Sequence, residues 1–321
     1  MVKVAIKANI KDNPSDILSA LSDLLRVFNL EIKPNSKIAI KPNLCALKPP
    51  ESGATTDVKV VSALIALLKE LEPTTTIYVV ESDSTSKRAW EAFEALGYRK
   101  LESMHGVKLV NLSEDPLEHL KVEEAHILNE IKVPRTLLNC DMIISVAKLK
   151  THAMERITCT LKNLFGLLPE KRKSKYHPYI SKVIHDIYKV FENKLLLAIV
   201  DGIYCMEGKG PVDGYPRKAG LLIMGDNPIA VDIVATKIMG LNCKEVPHLS
   251  YLMRQKGISM EDIMVQGDNV NLNLTFTPKL DFILERFTSC LLPRLEQKAQ
   301  FKMPYRLTRS IIRKIRRLIS Y

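Results

Sequence analysis

Residues 141–152 read DMIISVAKLKTH. The first six, DMIISV, form a short apolar run. A strand reads this way when helices cover both of its faces, as in a parallel sheet. Its charged residues, Lys148, Lys150 and His152, come only at the carboxyl end. On either side the chain alternates strand-like and helix-like segments. KIAIK at 37–41, TIYVVE at 76–81, residues 107–112, LLLAIV at 195–200 and residues 220–224 read as strands, as do residues 2–7. Residues 16–28, 57–71, 86–96 and 178–191 carry apolar residues at helical spacing, and a further helix ends near Gly166. Gly97 suits a helix C-cap, and Asp226-Asn227-Pro228 opens a helix that Gly240 closes. This alternation predicts an α/β fold with a largely parallel or mixed sheet and helices on both faces. Residues 265–278 read as returning β-structure or an extended arm. The expected division is an α/β core over 1–285, as one body or two lobes, and a tail over 286–321.

Composition narrows the function classes. With 46% hydrophobic and 26% charged residues in 321, the chain is neither wholly disordered nor a membrane bundle. The N-terminal MVKVAIKANI lacks the apolar block of a signal peptide and reads as the first strand of a cytoplasmic protein. Cys45, Cys140, Cys159, Cys205, Cys243 and Cys290 stand far apart, so CxxC-type zinc or iron–sulfur spacing is missing. Isolated buried thiols are expected instead. Of the net charge of +11, residues 291–321 supply +8, leaving a body close to balance. The basicity therefore describes the tail rather than the ligand of the core.

Polar groups gather where ligands bind in open α/β sheets, beyond the carboxyl ends of strands. KIAIK delivers Lys41 and then Asn43, and TIYVVE delivers Glu81. DMIISV delivers Lys148, Lys150 and His152, and LLLAIV delivers Asp201. In ERITCTLKNLFG, Thr158 and Lys162 share a helical face, with Asn163 beside them. Asp232 sits in the apolar helix NPIAVDIVATKIMG and needs a partner there. The segment DGIYCMEGKGPVDGYP reads as a glycine-rich loop whose amides, around Gly208 and Gly210, can cradle an anion. His177 reads as the start of a helix, and His185 as bordering the buried face of that helix.

These residues carry a resemblance. KPNL at 41–44, TTD at 55–57, KLKTH at 148–152 and the T-x-x-x-KNLFG run resemble the domain-of-unknown-function family 362. So do the DGIYCMEGKGP loop and the GDNPIAVDIVATKIMG helix. The match runs in consistent order over roughly residues 2–241. It implies a shared site at Lys41, Asn43, Lys148, His152, Lys162, Asn163, Asp201, Gly210 and Asp232. Many relatives resemble iron–sulfur proteins, because a ferredoxin-like module with CxxC repeats follows their core. This chain carries the basic tail in that position instead, so it is not expected to encode its own CxxC-type cluster. An inherited redox role implies a redox partner or another cofactor.

The leading expectation is an enzyme acting on a small carboxylate or phosphate, metal-assisted or redox-linked, of unassigned reaction class. Lys41, Lys148 and Lys162 would neutralise and orient the anion, with His152 as general acid/base. Asn43, Lys150, Thr158, Asn163, Gly208 and Gly210 would bind substrate. Asp201, Asp232 and Glu81 would hold a divalent cation. A lysine whose pKa burial lowers could instead form a Schiff base. The alternative is a non-catalytic accessory protein that binds a cofactor or metabolite and is tethered by its tail. Residues 305–321 place Leu307, Ile311, Ile312, Ile315, Leu318 and Ile319 on one helical stripe, with arginines opposite. Such a helix docks on its own body or a sister subunit, lies peripherally on an anionic membrane, or binds nucleic acid. The scarcity of interleaved aromatics weakens the last of these.

Overall fold

The computed structural model describes residues 1–291, so the amphipathic helix expected at 305–321 lies outside the described residues. The strands are β1 (Val2–Lys7), β2 (Lys37–Pro42), β3 (Thr76–Glu81), β4 (Lys108–Asn111), β5 (Leu117–Lys121), β6 (Glu130–Pro134), β7 (Met142–His152), β8 (Arg156–Thr158), β9 (Leu197–Glu207), β10 (Tyr215–Gly225) and β11 (Ile263–Gly267). The helices are α1 (Pro14–Leu25), α2 (Val58–Leu71), α3 (Ala89–Ala95), α4 (Lys100–His105), α5 (Arg135–Asn139), α6 (Thr160–Asn163), α7 (Ile180–Phe191), α8 (Pro228–Ile238), α9 (Pro247–Lys256) and α10 (Lys279–Arg286).

One nine-stranded sheet runs in the order β11-β1-β10-β9-β7-β2-β3-β4, with β8 added against β7. The run from β9 through β7, β2 and β3 to β4 is parallel throughout. β10 is antiparallel to both β9 and β1, and β8 is antiparallel to β7. The mixed, largely parallel sheet expected from the sequence is therefore present.

Side chains alternate between two apolar cores. Ile38, Ile40, Ile144 and Val146 join one core with residues of α1, α2, α3 and α4. Ala39, Ile143, Ala198 and Val200 join the other with residues of α7, α8 and α9. Helices on both faces follow from strands that are apolar at nearly every position. The expected caps hold. Asn227 Oδ1 accepts from the N–H groups of Ile229 (2.8 Å) and Ala230 (3.2 Å), and Gly97 takes φ +74° after α3.

Four local readings change. The strand begun by DMIISV continues to His152, so Lys148, Lys150 and His152 stand within β7 rather than in a turn beyond it. The glycine-rich stretch is mostly the β9–β10 ladder, leaving residues 208–214 as the turn. The helix ending near Gly166 shrinks to α6 and a 3-10 turn at Leu164–Leu167, because residues Arg156–Thr158 pair with β7 instead. The β5–β6 hairpin was not anticipated; its alternating exposed and buried residues are too short a signal beside charged loops.

Phe93 is fully buried, edge-on to Trp90 at 5.7 Å and tilted against Tyr98 at 6.2 Å. Phe93→Ala is expected to cost about 3–5 kcal/mol, read as a lowered urea midpoint at unchanged m-value.

Candidate functional site

The chain leaves β2 for α2 on one face of the sheet and leaves β7 for α6 and α7 on the other. β2 and β7 are adjacent and parallel, and the carboxyl ends of such a pair are where an open α/β sheet places its ligand crevice. Thr56 ties its floor together. Its Oγ1 donates to Val146 O and accepts from Asn43 N–H, both at 2.8 Å.

Within this crevice the amides of Asn43 and Asn163 face each other, Nδ2 to Oδ1, at 3.1 Å. Asn163 Nδ2 also donates to Lys41 O at 2.8 Å. Lys150 Nζ donates to Asn43 Oδ1 at 2.8 Å, to Cys45 Sγ at 3.0 Å and to Ala54 O. Lys41 Nζ meets Glu81 Oε2 at 3.0 Å, with both side chains buried. Burial alone would raise Glu81, but the charges of Lys41 and Lys87 and the Ser82 N–H outweigh it. They hold the carboxyl below its ordinary range. Burial draws Lys41 below the ordinary lysine value, with Glu81 opposing. Gly166 completes the motif for a steric reason: a Cβ there would lie 2.6 Å from Lys41 Cε.

His152 is 8% exposed, and its Nδ1 accepts from the N–H groups of Met154 (3.1 Å) and Glu155 (3.3 Å). Two donors on Nδ1 place the ring proton on Nε2. Burial, then the charges of Lys162 and Lys150, push its pKa well below the ordinary value. The ring is therefore a neutral Nε2–H donor. Its lone pair is engaged by the two backbone N–H groups, so of the acid/base role expected from the sequence this arrangement offers the N–H side. Lys162, half-buried above the Phe165 ring at 4.6 Å, is drawn by burial down to about 8. It can exchange a proton near neutral pH. Thr158 Oγ1, opposite Lys150 in the β7–β8 register, is buried without a hydrogen-bond partner.

Other expected residues lie elsewhere in the network. Lys148 and Asp201 form a fully buried pair at 2.9 Å, and Asp201 also accepts from the N–H groups of Asp57 (2.8 Å) and Ile203 (3.1 Å). Asp232 caps α6: its Oδ1 accepts from Thr160 N–H (2.8 Å) and Thr160 Oγ1 (2.5 Å), and its Oδ2 from Leu161 N–H (3.1 Å). Glu81, Asp201 and Asp232 thus hold three separate sets of partners and are not gathered around one point. The Gly208 and Gly210 N–H groups donate to Thr275 O (2.7 Å) and Thr151 Oγ1 (3.2 Å), so neither is left to cradle an anion.

Among the described residues, His126, His185 and Asp186 bring three ligand-type atoms within 4.8 Å. The two imidazoles stack in parallel at 4.3 Å, and Asp186 accepts from the N–H groups of His126, Ile127 and Leu128. Those bonds explain the cluster as a fastening of the loop to α7.

Sequence reasoning missed Lys87 and Lys173, whose ammoniums donate to Ser82 O (3.3 Å) and Asp83 O (2.6 Å). Burial draws Lys173 to about 8. It also missed Cys45 as a neighbour of Lys150. His177, read as a helix start, instead stacks on Phe165 with centroids 6.3 Å apart, and burial lowers it to about 4. Lys87 follows the Glu81 strand end and could have been found by reading six residues further. Lys173, within the run KRKSK, carries no such signal.

Fold and site together define a mixed α/β protein with a lysine-rich, amide-braced crevice at the switch point of its sheet. The chain belongs to the family described as Domain of unknown function (DUF362), whose model matches residues 38–237. It is 27% identical over 226 residues to a thylakoid-associated protein of Synechocystis sp., covering 68% of each chain. Among solved structures it is similar to the lactate racemase apoprotein from Thermoanaerobacterium thermosaccharolyticum, with TM-score 0.49 and 10% identity. That likeness covers 77% of this chain and 57% of the other. A Thermotoga maritima protein gives TM-score 0.41 and 16% identity, over 67% of this chain and 56% of that one. The chain thus spans little more than half of either structure.

Breaking the Lys148–Asp201 pair by Lys148→Met is expected to cost about 3–5 kcal/mol, measured by denaturant unfolding. Asp232→Asn is expected to destabilise through the α6 cap. If either variant unfolded at the wild-type midpoint, the structural assignment of that residue would be wrong.

Proposed function

We propose that this chain is an enzyme acting on a small carboxylate- or phosphate-bearing substrate held in the β2–β7 crevice. The observation that carries the reading is Lys150. Its ammonium is fully buried, yet it is held by an amide oxygen, a thiol sulfur and a carbonyl, with no carboxylate partner among the described residues. Burial draws the Lys150 ammonium below the ordinary lysine value, and an anion that joins it favours the charged form. Lys150 and Lys41 neutralise the substrate, and Asn43 and Asn163 orient it. Lys162 moves a proton, and His152 donates a hydrogen bond from Nε2. Lys148, Asp201 and Asp232 support the crevice from beneath. The Thr158 hydroxyl is available to a bound oxygen.

No helix among the described residues is long and apolar enough to cross a membrane. The description of the Synechocystis relative as thylakoid-associated supports placing the basic tail on an anionic membrane surface.

Calorimetric titration with inorganic phosphate and with acetate tests the site. Wild-type protein binds at least one of them, and Lys150→Met weakens that binding at least about tenfold. Equal binding by the variant overturns the reading. Binding should also fall as pH rises through about 8, where Lys162 and Lys173 lose their protons. Stability carries the opposite sign. Both lysines bind protons less readily folded than unfolded, so their contribution rises between about 8 and the ordinary value of 10.5. For the tail, deleting residues 304–321 is expected to abolish co-sedimentation with anionic vesicles while leaving anion binding intact. High salt should weaken the vesicle contact in the full chain.

A further inference from the structure

Building on the anion-binding reading, we infer that the crevice takes a small molecule carrying two anionic groups, one at each of two separate ammonium clusters. The first cluster gathers on the residues that end β3. Lys41 meets Glu81, Lys87 donates to Ser82 O, and Lys173 donates to Asp83 O. Three ammoniums therefore meet the short run Glu81–Asp83, and only that of Lys41 touches the Glu81 carboxylate. The second cluster stands at the end of β7. Lys150 lies against Asn43 and Cys45, with the charge of Lys162 close enough to act on it and on His152.

The two clusters share no hydrogen-bond acceptor for their ammoniums. Between them stands the Asn43–Asn163 amide pair, joined to Lys150 on one side and to Lys41 O on the other. A monoanion can neutralise one cluster and leaves the excess charge of the other buried. A molecule with two anionic groups neutralises both, and two anchors fix its direction along the amide pair. One feature independent of charge fits this reading. Thr158 Oγ1 is an unpartnered hydroxyl, 3% exposed, on the same face as Lys150.

The test is calorimetry on the full-length protein with acetate, malonate, succinate and glutarate, and with phosphate and phosphonoacetate. At least one two-headed probe is expected to bind about tenfold or more tighter than its one-headed counterpart. The preferred arm separates a dicarboxylate from a phospho-carboxylate. Lys173→Gln and Lys162→Gln, both at half-buried positions, should each reduce that probe to the level of the one-headed anion. Circular dichroism confirms that each variant is folded. If one- and two-headed probes bind alike, or if only one of the two variants matters, the two-cluster inference falls and the single-anion site stands. If no probe binds, both fall.

Discussion

The register that sets Ile38 beside Met142 and Pro42 beside Val146 brings two strand ends together whose chains then depart to opposite faces. The two connections diverge at that junction, and α6 with the turn after it reaches it through Asn163 and Gly166. Polar side chains can therefore occupy the ends of strands that are otherwise wholly apolar. Lys41, Asn43 and Lys150 owe their proximity to this one pairing.

Burying so many ammoniums imposes its own requirements. Lys148 meets them with a dedicated carboxylate and becomes part of the framework. Lys41 meets them with Glu81, which is itself steadied by the Ser82 and Leu44 N–H groups. Lys150 has only neutral partners, and Lys162 rests over an aromatic ring. This gradient from fully compensated to uncompensated charge separates residues that hold the fold from residues free to hold a ligand. It also explains why the family motifs mix the two kinds. In TTD, Thr56 laces β2 to β7, and Asp57 caps α2 while its N–H serves Asp201. In KNLFG, Asn163 braces the crevice and Gly166 makes room for Lys41.

The C-terminal arm fastens the same region from outside. Arg286 donates to Met154 O (3.1 Å) and Glu155 Oε1 (3.0 Å), and Arg156 donates to Thr277 O (2.9 Å). Glu155 in turn pairs with His248 at 2.9 Å, and its N–H is one of the two that orient His152. The imidazole that faces the crevice is thus set by backbone that the arm holds in place.

Much of this was legible in the residues. Apolar runs such as DMIISV and LLLAIV, punctuated by Gly97 and by Asn227-Pro228, determined the strands, helices and caps, because period and cap chemistry are local. The strand-end rule drew attention to Lys41, Asn43 and Lys150, which the structure brings together, because they lie near where buried strands stop. What tertiary structure alone decided is which charge meets which. Asp201, Glu81 and Asp232 look alike in sequence as acids at apolar borders. Pairing partners from distant segments (Lys148, Lys41 and the Thr160 amide) make one a core ion pair, one a site partner and one a helix cap. The direction of the His152 lone pair and the approach of Lys173 likewise depend on contacts between segments. Sequence spacing carries no record of them.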